Sequence, residues 1–410
     1  MKNNREETII VEGLAYNGYA FGRLSNGKIV FVPCVVPGDK VKIAIEDEKS
    51  QYAIGEAIEV VEESVHRVPP ECELFTRCGG CQFLNVDYKK QIDERVKIVQ
   101  REISRSLKKE VTFDGVIESP RLRYRRRAKL FIERKIIGFK MVKSDKVVPV
   151  GRCPILTEKL EKALITLYSF NSVLKNGIEV FLGESNKGDE VIVGIKAKEK
   201  IREIHDIYHA LEDELKVDVG LRIFYPGKYS TLGKSYLRDN LLGETVKYNY
   251  FSFFQANIFL VDKLVEKVVD LARGGKKVLE LFAGSGTFTI PLSRVVESIV
   301  AVELDKKAVE LLEKEKPENL EVFNMDVEEF IRKSKEIYDT IILDPPRIGI
   351  TKDLAERIRG LNADRIIYIS CSPPTFARDI KNIGYNLSRI FLFDMFPNTY
   401  HIELVALLER

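Results

Sequence analysis

The sequence predicts an α/β protein: a doubly wound sheet in the C-terminal part, an OB-like β-barrel at the N-terminus, and an α+β segment between them. Three observations lead there. A chain of 410 residues exceeds what one ordinary core organises, so two or three domains are expected. Residues 8–61 read as five short strands separated by glycines. Beyond Phe251 strands alternate with amphipathic helical runs, the mark of a parallel sheet covered on both faces.

Composition narrows the class. Apolar residues make up 45% and charged residues 31%, values of a water-soluble globular protein. MKNNREETII lacks the apolar stretch of a secretory signal, and no apolar run reaches membrane-spanning length, so a cytoplasmic protein is expected. Six cysteines in such a chain point to metal binding or catalysis rather than a disulfide framework. The net charge of +3 is unevenly spread: Arg95–Arg152 holds 18 Lys/Arg against 6 Asp/Glu. Alone, that block could be a solvated face; in an otherwise mildly acidic chain it suits a polyanion, whose counterions are released on binding.

In TIIVEGL, GYAFGRL, GKIVFVP, DKVKIAI and YAIGEAIEVV short strands end at Gly13, Gly18, Gly22, Gly27 and Gly38. Five strands so closely spaced fit an OB-like barrel, a fold that often grips oligonucleotides. The pattern GLAYNGYAFGRL…GKIVFVPCVVPGDKVKI resembles the TRAM domain, an RNA-binding barrel, and residues 1–63 are assigned to it. Residues 64–85 and 111–250 read as a central domain. The polar helical run 86–110 is expected to pack on the C-terminal domain, 251–410.

VLELFAGSGTFTIPLS (278–293) is a strand, a glycine turn and a helix start. Gly284 and Gly286 let backbone approach a ligand at the carboxyl end of the first strand. Neither a P-loop nor a full dinucleotide fingerprint is present, since Gly-Lys-Ser/Thr and the third glycine are missing. Glu303 ends the second strand in AVELD, where an acid takes a ribose hydroxyl pair. Asp326 closes the third in NMD, suited to an adenine edge. An adenosine site without a pyrophosphate cradle fits S-adenosylmethionine better than NAD. DTIILDPPRIGI (339–350) adds Asp344 and two prolines, either a plain strand-ending turn or a carboxylate fixed against a planar target.

Cys371 narrows the chemistry. In SCSPPTFARDI (370–380) it leaves a strand, RIIYIS, that reads as buried. Buried cysteine is common as a small hydrophobe. Yet C5 of a pyrimidine accepts a methyl group only after a thiolate has added to C6, so a cysteine beside an adenosine site has a chemical use. A base must then remove the C5 proton, and DMFPNTYHIELVALLER (394–410) offers Glu403 and His401.

Together FFQAN (253–257), LELFAGSGTF (279–288), DPPRIG (344–349), SCSPPTFARDI and FPNTYHIE (396–403) resemble, in content and order, the S-adenosylmethionine-dependent RNA uridine-5-methyltransferase family. The resemblance implies a Rossmann-like class I methyltransferase domain, with Cys371 as nucleophile and Glu403 as general base. It places Gln255, Phe282, Glu303 and Asp344 around the cofactor and uracil. One departure stands out: the family usually has Asn after the nucleophile, and this chain has Ser372, followed by an additional Pro374.

Cys72, Cys78 and Cys81 lie as C-x5-C-x2-C in ECELFTRCGGCQF, with Cys153 downstream in VGRCPI. Four thiolates suit Zn²⁺ or an iron–sulfur cluster, and spacing leaves both open, zinc being the commoner. The resemblance shifts the expectation to a structural [4Fe-4S] cluster, which one branch of the family holds by this spacing. Within RLRYRRRAKLFIE (121–133) a strand would put Arg121, Arg123, Arg125, Arg127 and Lys129 on one face. Leu122, Tyr124, Arg126 and Ala128 would take the other. One-sided cations near an aromatic suit an RNA backbone and a splayed base.

The expected activity is methyl transfer from S-adenosylmethionine to C5 of a specific uridine in structured RNA, by a monomer with no membrane partner. 23S rRNA is favoured over the tRNA T-loop, as the more frequent target of the cluster-bearing branch. Two rivals stay open: an RNA cytosine-5-methyltransferase, and an RNA-binding chaperone with an inactive fold.

Overall fold

Glycine-punctuated strands close on themselves at the N-terminus. β1 (Glu6–Leu14), β2 (Ala20–Arg23), β3 (Ile29–Val32), β4 (Lys40–Glu48) and β5 (Tyr52–Glu62) form a closed barrel in the order β1-β2-β3-β5-β4. The computed structural model describes residues 5–410, so the first four residues assigned to the barrel lie outside the described residues. The turns at Gly18 and Gly38 take φ of 86° and 97°, a region glycine enters without a Cβ clash. Val11, Val30, Val32, Val41 and Ile43 fill the interior.

A long helix follows, α1 (Tyr88–Leu107), whose first turn is capped by Asp87 accepting from Lys90 N. Its apolar stripe, Ile98, Val99 and Ile103, belongs to one continuous core shared with the barrel and one face of the C-terminal sheet. Gly115–Ile117, assigned from sequence to the central domain, is strand β6 and joins the edge of the C-terminal sheet instead.

The central domain is a seven-stranded sheet. In chain order its elements are β7 (Arg127–Glu133), β8 (Ile136–Lys140), β9 (Val147–Pro149), α2 (Glu158–Ser169), β10 (Gly177–Glu184), β11 (Glu190–Ala197), α3 (Ile204–Leu215), β12 (Asp218–Tyr225) and β13 (Lys228–Gly233). The strands lie in the order β13-β12-β11-β10-β7-β8-β9. Leu130, Val180, Val193 and Leu221 bury one face against α2 and α3. The strand expected over 121–129 begins only at Arg127, because Arg123 turns the chain with φ 57°. Alternation of burial survives the break: Tyr124, Arg126 and Ala128 are buried while Arg123, Arg125 and Arg127 are not.

A hairpin, β14 (Leu237–Leu241) and β15 (Glu244–Tyr248), leads into the C-terminal domain. There follow α4 (Val261–Ala272), β16 (Lys277–Leu281), α5 (Thr289–Leu292), β17 (Ser298–Glu303), α6 (Lys306–Lys314), β18 (Leu320–Asn324), α7 (Val327–Lys333), β19 (Thr340–Leu343), α8 (Lys352–Gly360), β20 (Arg365–Ser370), α9 (Pro373–Ile383), β21 (Asn386–Phe393) and β22 (Glu403–Glu409). The sheet order is β18-β17-β16-β19-β20-β22-β21-β6. TIIL and RIIYIS read as unbroken apolar runs because helices cover both faces of these strands. Strand order reverses between β16 and β19, which opens a crevice at their carboxyl ends.

Candidate active site and cysteine cluster

Sheet topology brings the chemistry-bearing residues to one edge. Phe282–Gly286 follows β16, Glu303 ends β17, Asp344 follows β19 and Cys371 follows β20. Glu403 begins rather than ends its strand, yet it reaches the same edge because β22 runs antiparallel to β20, pairing Leu404 with Ser370. A residue at the start of an antiparallel strand lies beside the ends of its neighbours.

The crevice between β16 and β19 has the features of a ligand site. Phe282 is held at φ 66°, in the left-handed region that a bulky residue occupies only under constraint. At Gly284, with φ 58°, an added Cβ would meet nothing within 4 Å, so the space there is open. Gly286 differs: at φ 89° a Cβ would come within 2.6 Å of Leu312 Cδ1, so this glycine also lets α6 pack against the turn. Glu303 accepts Gly284 N at 2.8 Å and Asp305 N at 2.7 Å, which fixes its carboxylate beside the glycine turn. Gln255 is buried with Oε1 unpartnered, and so is Ser285 with its Oγ. Asp326 is exposed, and its Oδ1 caps α7 by accepting Glu328 N and Glu329 N, a duty the sequence did not reveal.

Around Cys371 burial dominates, with two carboxyl groups held away from water beside the thiol. Burial, then Glu403 and Asp344, push its thiol up to about 12, with Arg347 opposing. Burial raises Asp344 to about 7. Glu403, only 4% exposed, is raised well above the ordinary carboxylate range by burial and by Asp344. His401, the second candidate base, is pulled down to about 3 by burial and then by Arg347, Arg125 and Arg95, so it is neutral. Its Nε2 lies 3.4 Å from Arg347 Nη2. A guanidinium only donates, so Nε2 accepts, the proton sits on Nδ1, and the imidazole lone pair is already engaged. Of the two, Glu403 is left with basic capacity.

Several supports escaped the sequence reading. Arg126, fully buried, clamps Asp239 through Nη1 and Nη2 at 2.8 and 2.7 Å and donates from Nε to Gln255 O at 2.9 Å. It thereby ties the central sheet and the hairpin to the loop that presents Gln255. The loop 396–402 before Glu403 is braced by α1: Arg95 donates to Thr399 O at 2.6 Å, and Gln91 exchanges hydrogen bonds with Asn398. Tyr124 OH adds a bond to Pro397 O at 3.0 Å. From the barrel, Tyr16 OH donates to Cys371 O at 3.1 Å. Glu280, pushed up to about 8 by burial, accepts from Thr289 under the glycine turn. An arginine or glutamate at an inward-facing position of a sheet was the one sequence signal available.

Cys72, Cys78, Cys81 and Cys153 all line one cavity of about 1250 Å3 between the barrel, the cysteine loop and the central sheet. Gly80 N points at Cys78 Sγ at 3.4 Å, and the N–H groups of Leu156 and Ile155 face Cys153. Burial pushes Cys153 up to about 11 and raises Cys81 as well, with neighbouring cysteines adding to the rise at Cys81. Among the described residues, no three His, Cys, Asp or Glu side chains converge closely enough to hold a metal ion. Arg125, Arg127 and Lys129 line the same cavity. Arg121 and Arg123 are drawn elsewhere: Arg121 bonds Glu71 and Leu84 O, and Arg123 bonds Glu161 and Leu156 O. The expected row of five cations is therefore a row of three at the cavity, with two arginines acting as braces.

Comparison with known proteins agrees with this layout. The family described as tRNA (Uracil-5-)-methyltransferase matches residues 87–410, and the TRAM domain matches residues 2–58. A 23S rRNA (uracil(1939)-C(5))-methyltransferase RlmD of Mannheimia succiniciproducens is 29% identical over 100% of this chain and 97% of its own. A tRNA (uracil(54)-C(5))-methyltransferase of Pyrococcus abyssi is 30% identical, over 95% of this chain and 97% of its own. The crystal structure of the Pyrococcus abyssi tRNA (uracil-54, C5)-methyltransferase in complex with S-adenosyl-L-homocysteine superposes with a TM-score of 0.77. It shares 27% identity and covers 98% of this chain and 99% of that one. With a TRAM barrel in front of a doubly wound catalytic sheet, the chain belongs to the tRNA (uracil-5-)-methyltransferase family of RNA uracil-5-methyltransferases.

Proposed function

We propose that this chain methylates C5 of a specific uridine in structured RNA, with S-adenosylmethionine as donor and a covalent bond from Cys371 to C6. The observation that carries the reading is the meeting of Cys371, Glu403 and Asp344 at one sheet edge, beside a crevice suited to an adenosine ligand. The open space at Gly284 and the unpartnered Gln255 Oε1 and Ser285 Oγ fit such a ligand, and Glu303 suits a ribose hydroxyl pair. When bound, S-adenosylmethionine supplies an electrophilic methyl group on a cationic sulfur.

The protein supplies the rest. A target base must leave its stack to reach a strand end inside this cleft. Cys371 passes its proton to solvent and its Sγ bonds to C6, while the C5–C6 π pair moves onto C5 and O4 and makes C5 nucleophilic. Once C5 carries the methyl group, ionised Glu403 takes the C5 proton. The C5–C6 double bond reforms as the Sγ–C6 bond breaks. A carboxylate with a raised pKa is a stronger base than an exposed one, and Arg347 favours its ionised form. Cys371→Ala is expected to abolish both 5-methyluridine formation and the stable adduct with 5-fluorouridine RNA; methylation that survives the substitution sinks the mechanism.

The four cysteines that line one cavity are proposed to hold a [4Fe-4S] cluster, drawn together by the cluster itself. Support comes from their shared cavity and from the backbone N–H groups aimed at Cys78 and Cys153, which suit thiolates. Iron and sulfide analysis after anaerobic purification tests this, with zinc as the contrary outcome. For the RNA, 23S rRNA is favoured, in keeping with the relative from Mannheimia that matches along the whole chain. The likeness in sequence and fold to the Pyrococcus tRNA enzyme favours a T-loop uridine as the second reading. Mass mapping of 5-methyluridine in a strain lacking this protein decides between them.

A further inference from the structure

The face of the central sheet opposite α2 and α3 carries rings and cations in unbroken contact. Strand register puts Phe181, Gly194 and Arg222 in one cross-strand row, and Lys196, Phe224 and Tyr229 in the next. Phe251 and Tyr250 lie on this face over Gly194, where a Cβ would approach their rings to 3.4 and 3.3 Å. Ring centroids then step from Phe181 to Phe251 at 5.7 Å, to Phe224 at 4.9 Å, and to Tyr229 at 6.0 Å. Lys196 sits 4.9 Å above Phe251, and Arg222 stands 4.8 Å from the Tyr229 ring. At the other end Arg127 touches both Phe181 and the exposed Phe253, two residues before Gln255, and also lines the cysteine cavity.

Three physical points select the occupant. Tyr229 is 61% exposed on the edge strand, so its ring is not consumed by the core. Among the described residues neither Arg127 nor Arg222 is paired with a carboxylate, whereas Glu179 holds Lys129 and Lys196 at 2.7 and 2.9 Å. The strip therefore keeps net positive charge with an exposed ring at each end, Tyr229 and Phe253, and Phe253 leads directly into the segment that carries Gln255. Rings on a sheet surface stack with unpaired bases, and interleaved guanidinium groups meet the phosphates between them.

We propose that this strip, from Phe251 to Tyr229, is a binding track for a single-stranded RNA segment next to the target uridine. The proposal rests on the RNA-methylating reading, and it assigns a substrate contact to a part of the central domain remote from Cys371. A base that stacks on Tyr229 draws the flanking strand along the sheet edge and away from the cleft. Recognition there is tolerant of sequence, because every base has a π-face.

The test uses the full chain and a fluorescent oligouridylate of about 12 nucleotides, long enough to exceed one stacking site, with an RNA duplex of equal length as control. Tyr229→Ser is expected to raise the oligouridylate Kd roughly five- to 150-fold, the loss that one stacked base represents. Arg222→Gln should lower the slope of log Kd against log salt by about 0.7, one single-strand phosphate contact. Tyr229→Phe should restore binding, since stacking needs the ring and not the hydroxyl. On RNA that the wild type methylates, the two weakened variants should show a raised KM with kcat unchanged. Unaltered Kd in the Tyr229→Ser, Arg222→Gln double variant overturns the track, and so does duplex binding as tight as single-strand binding. Wild-type protein that binds oligouridylate but methylates no RNA overturns the activity and leaves the track standing.

Discussion

Two cysteine sites in this chain are built on opposite principles. Cys371 stands at the end of β20, a strand paired with β22 throughout and with β19 as far as Tyr368, and its neighbours are other strand ends of the same sheet. Cys72, Cys78 and Cys81 occupy a stretch of turns and isolated bridges, and Cys153 lies in the turn between β9 and α2. A strand end is placed by its ladder, whether or not a ligand is present. A loop cysteine is placed by whatever it holds, since turns alone leave its backbone free to shift. On the function proposed above, the first site is a preorganised reaction centre and the second a clasp.

The sharpest way to test the contrast is at the base of the reaction centre. Glu403→Gln is nearly isosteric and leaves the sheet edge intact, so thermal stability should hold. Turnover should fall by about 10²–10⁴-fold, the usual contribution of a positioned general base. Because addition at C6 precedes proton removal, the covalent RNA adduct should accumulate and be visible as a retarded band on a denaturing gel. Loss of the adduct together with turnover would move Glu403 from base to binding residue.

The clasp should respond in the reverse way. Cys81→Ser is expected to lose bound iron and to cost on the order of a few kcal/mol of stability, because binding energy at such a site is folding energy. Methyl transfer at saturating RNA should be largely retained below the lowered melting point. An iron-free variant that melts like the wild type would show that the loops need no clasp.

A third measurement compares the thiols by pH. With its folded-state value near 12, Cys371 is protonated at neutral pH in the free protein. The rate of iodoacetamide labelling of its peptide should therefore climb about tenfold per pH unit from 7 to 9 without a plateau, tracking the thiolate fraction. Removing the opposing cation in Arg347→Ala should slow labelling further. A plateau near pH 8 would mean that burial of the thiol and the carboxyl groups beside it raise Cys371 far less than its surroundings imply.

How much of this could be read from the chain follows the same division. Apolar runs such as SIVAVE and RIIYIS announced the parallel sheet, and the motifs at strand ends announced Gly284, Glu303, Asp344 and Cys371, because local pattern encodes what a strand is and where it stops. The insertion of β22 between β20 and β21, the edge strand at Gly115–Ile117 and the buried Arg126–Asp239 pair were invisible. Each depends on partners distant in sequence, which periodicity does not report. The arginine row shows the boundary well. Its alternation was legible, but the diversion of Arg121 to Glu71 and Arg123 to Glu161 depends on where two loops and a helix come to rest.

Tyr16 is the most distant of these partners, 355 residues from the carbonyl it bonds, and it bears on the departure at Ser372. It lies between β1 and β2, edge-on to Tyr400 at 5.8 Å. Burial raises its pKa, so the hydroxyl stays a donor, with the Ser372 side chain beside it. A barrel residue thus holds the peptide that carries the proposed nucleophile, at the position where the chain has a serine instead of an amide. Tyr16→Phe removes one hydrogen bond and keeps the ring contact. The rate of adduct formation should fall roughly two- to tenfold, the worth of a single neutral hydrogen bond, with melting temperature and RNA affinity unchanged. Adding Ser372→Asn to that variant should recover part of the rate if the lost contact was orienting Cys371. If Tyr16→Phe weakens RNA binding and leaves the adduct rate alone, the barrel only docks RNA, and the reaction centre is complete within its own sheet.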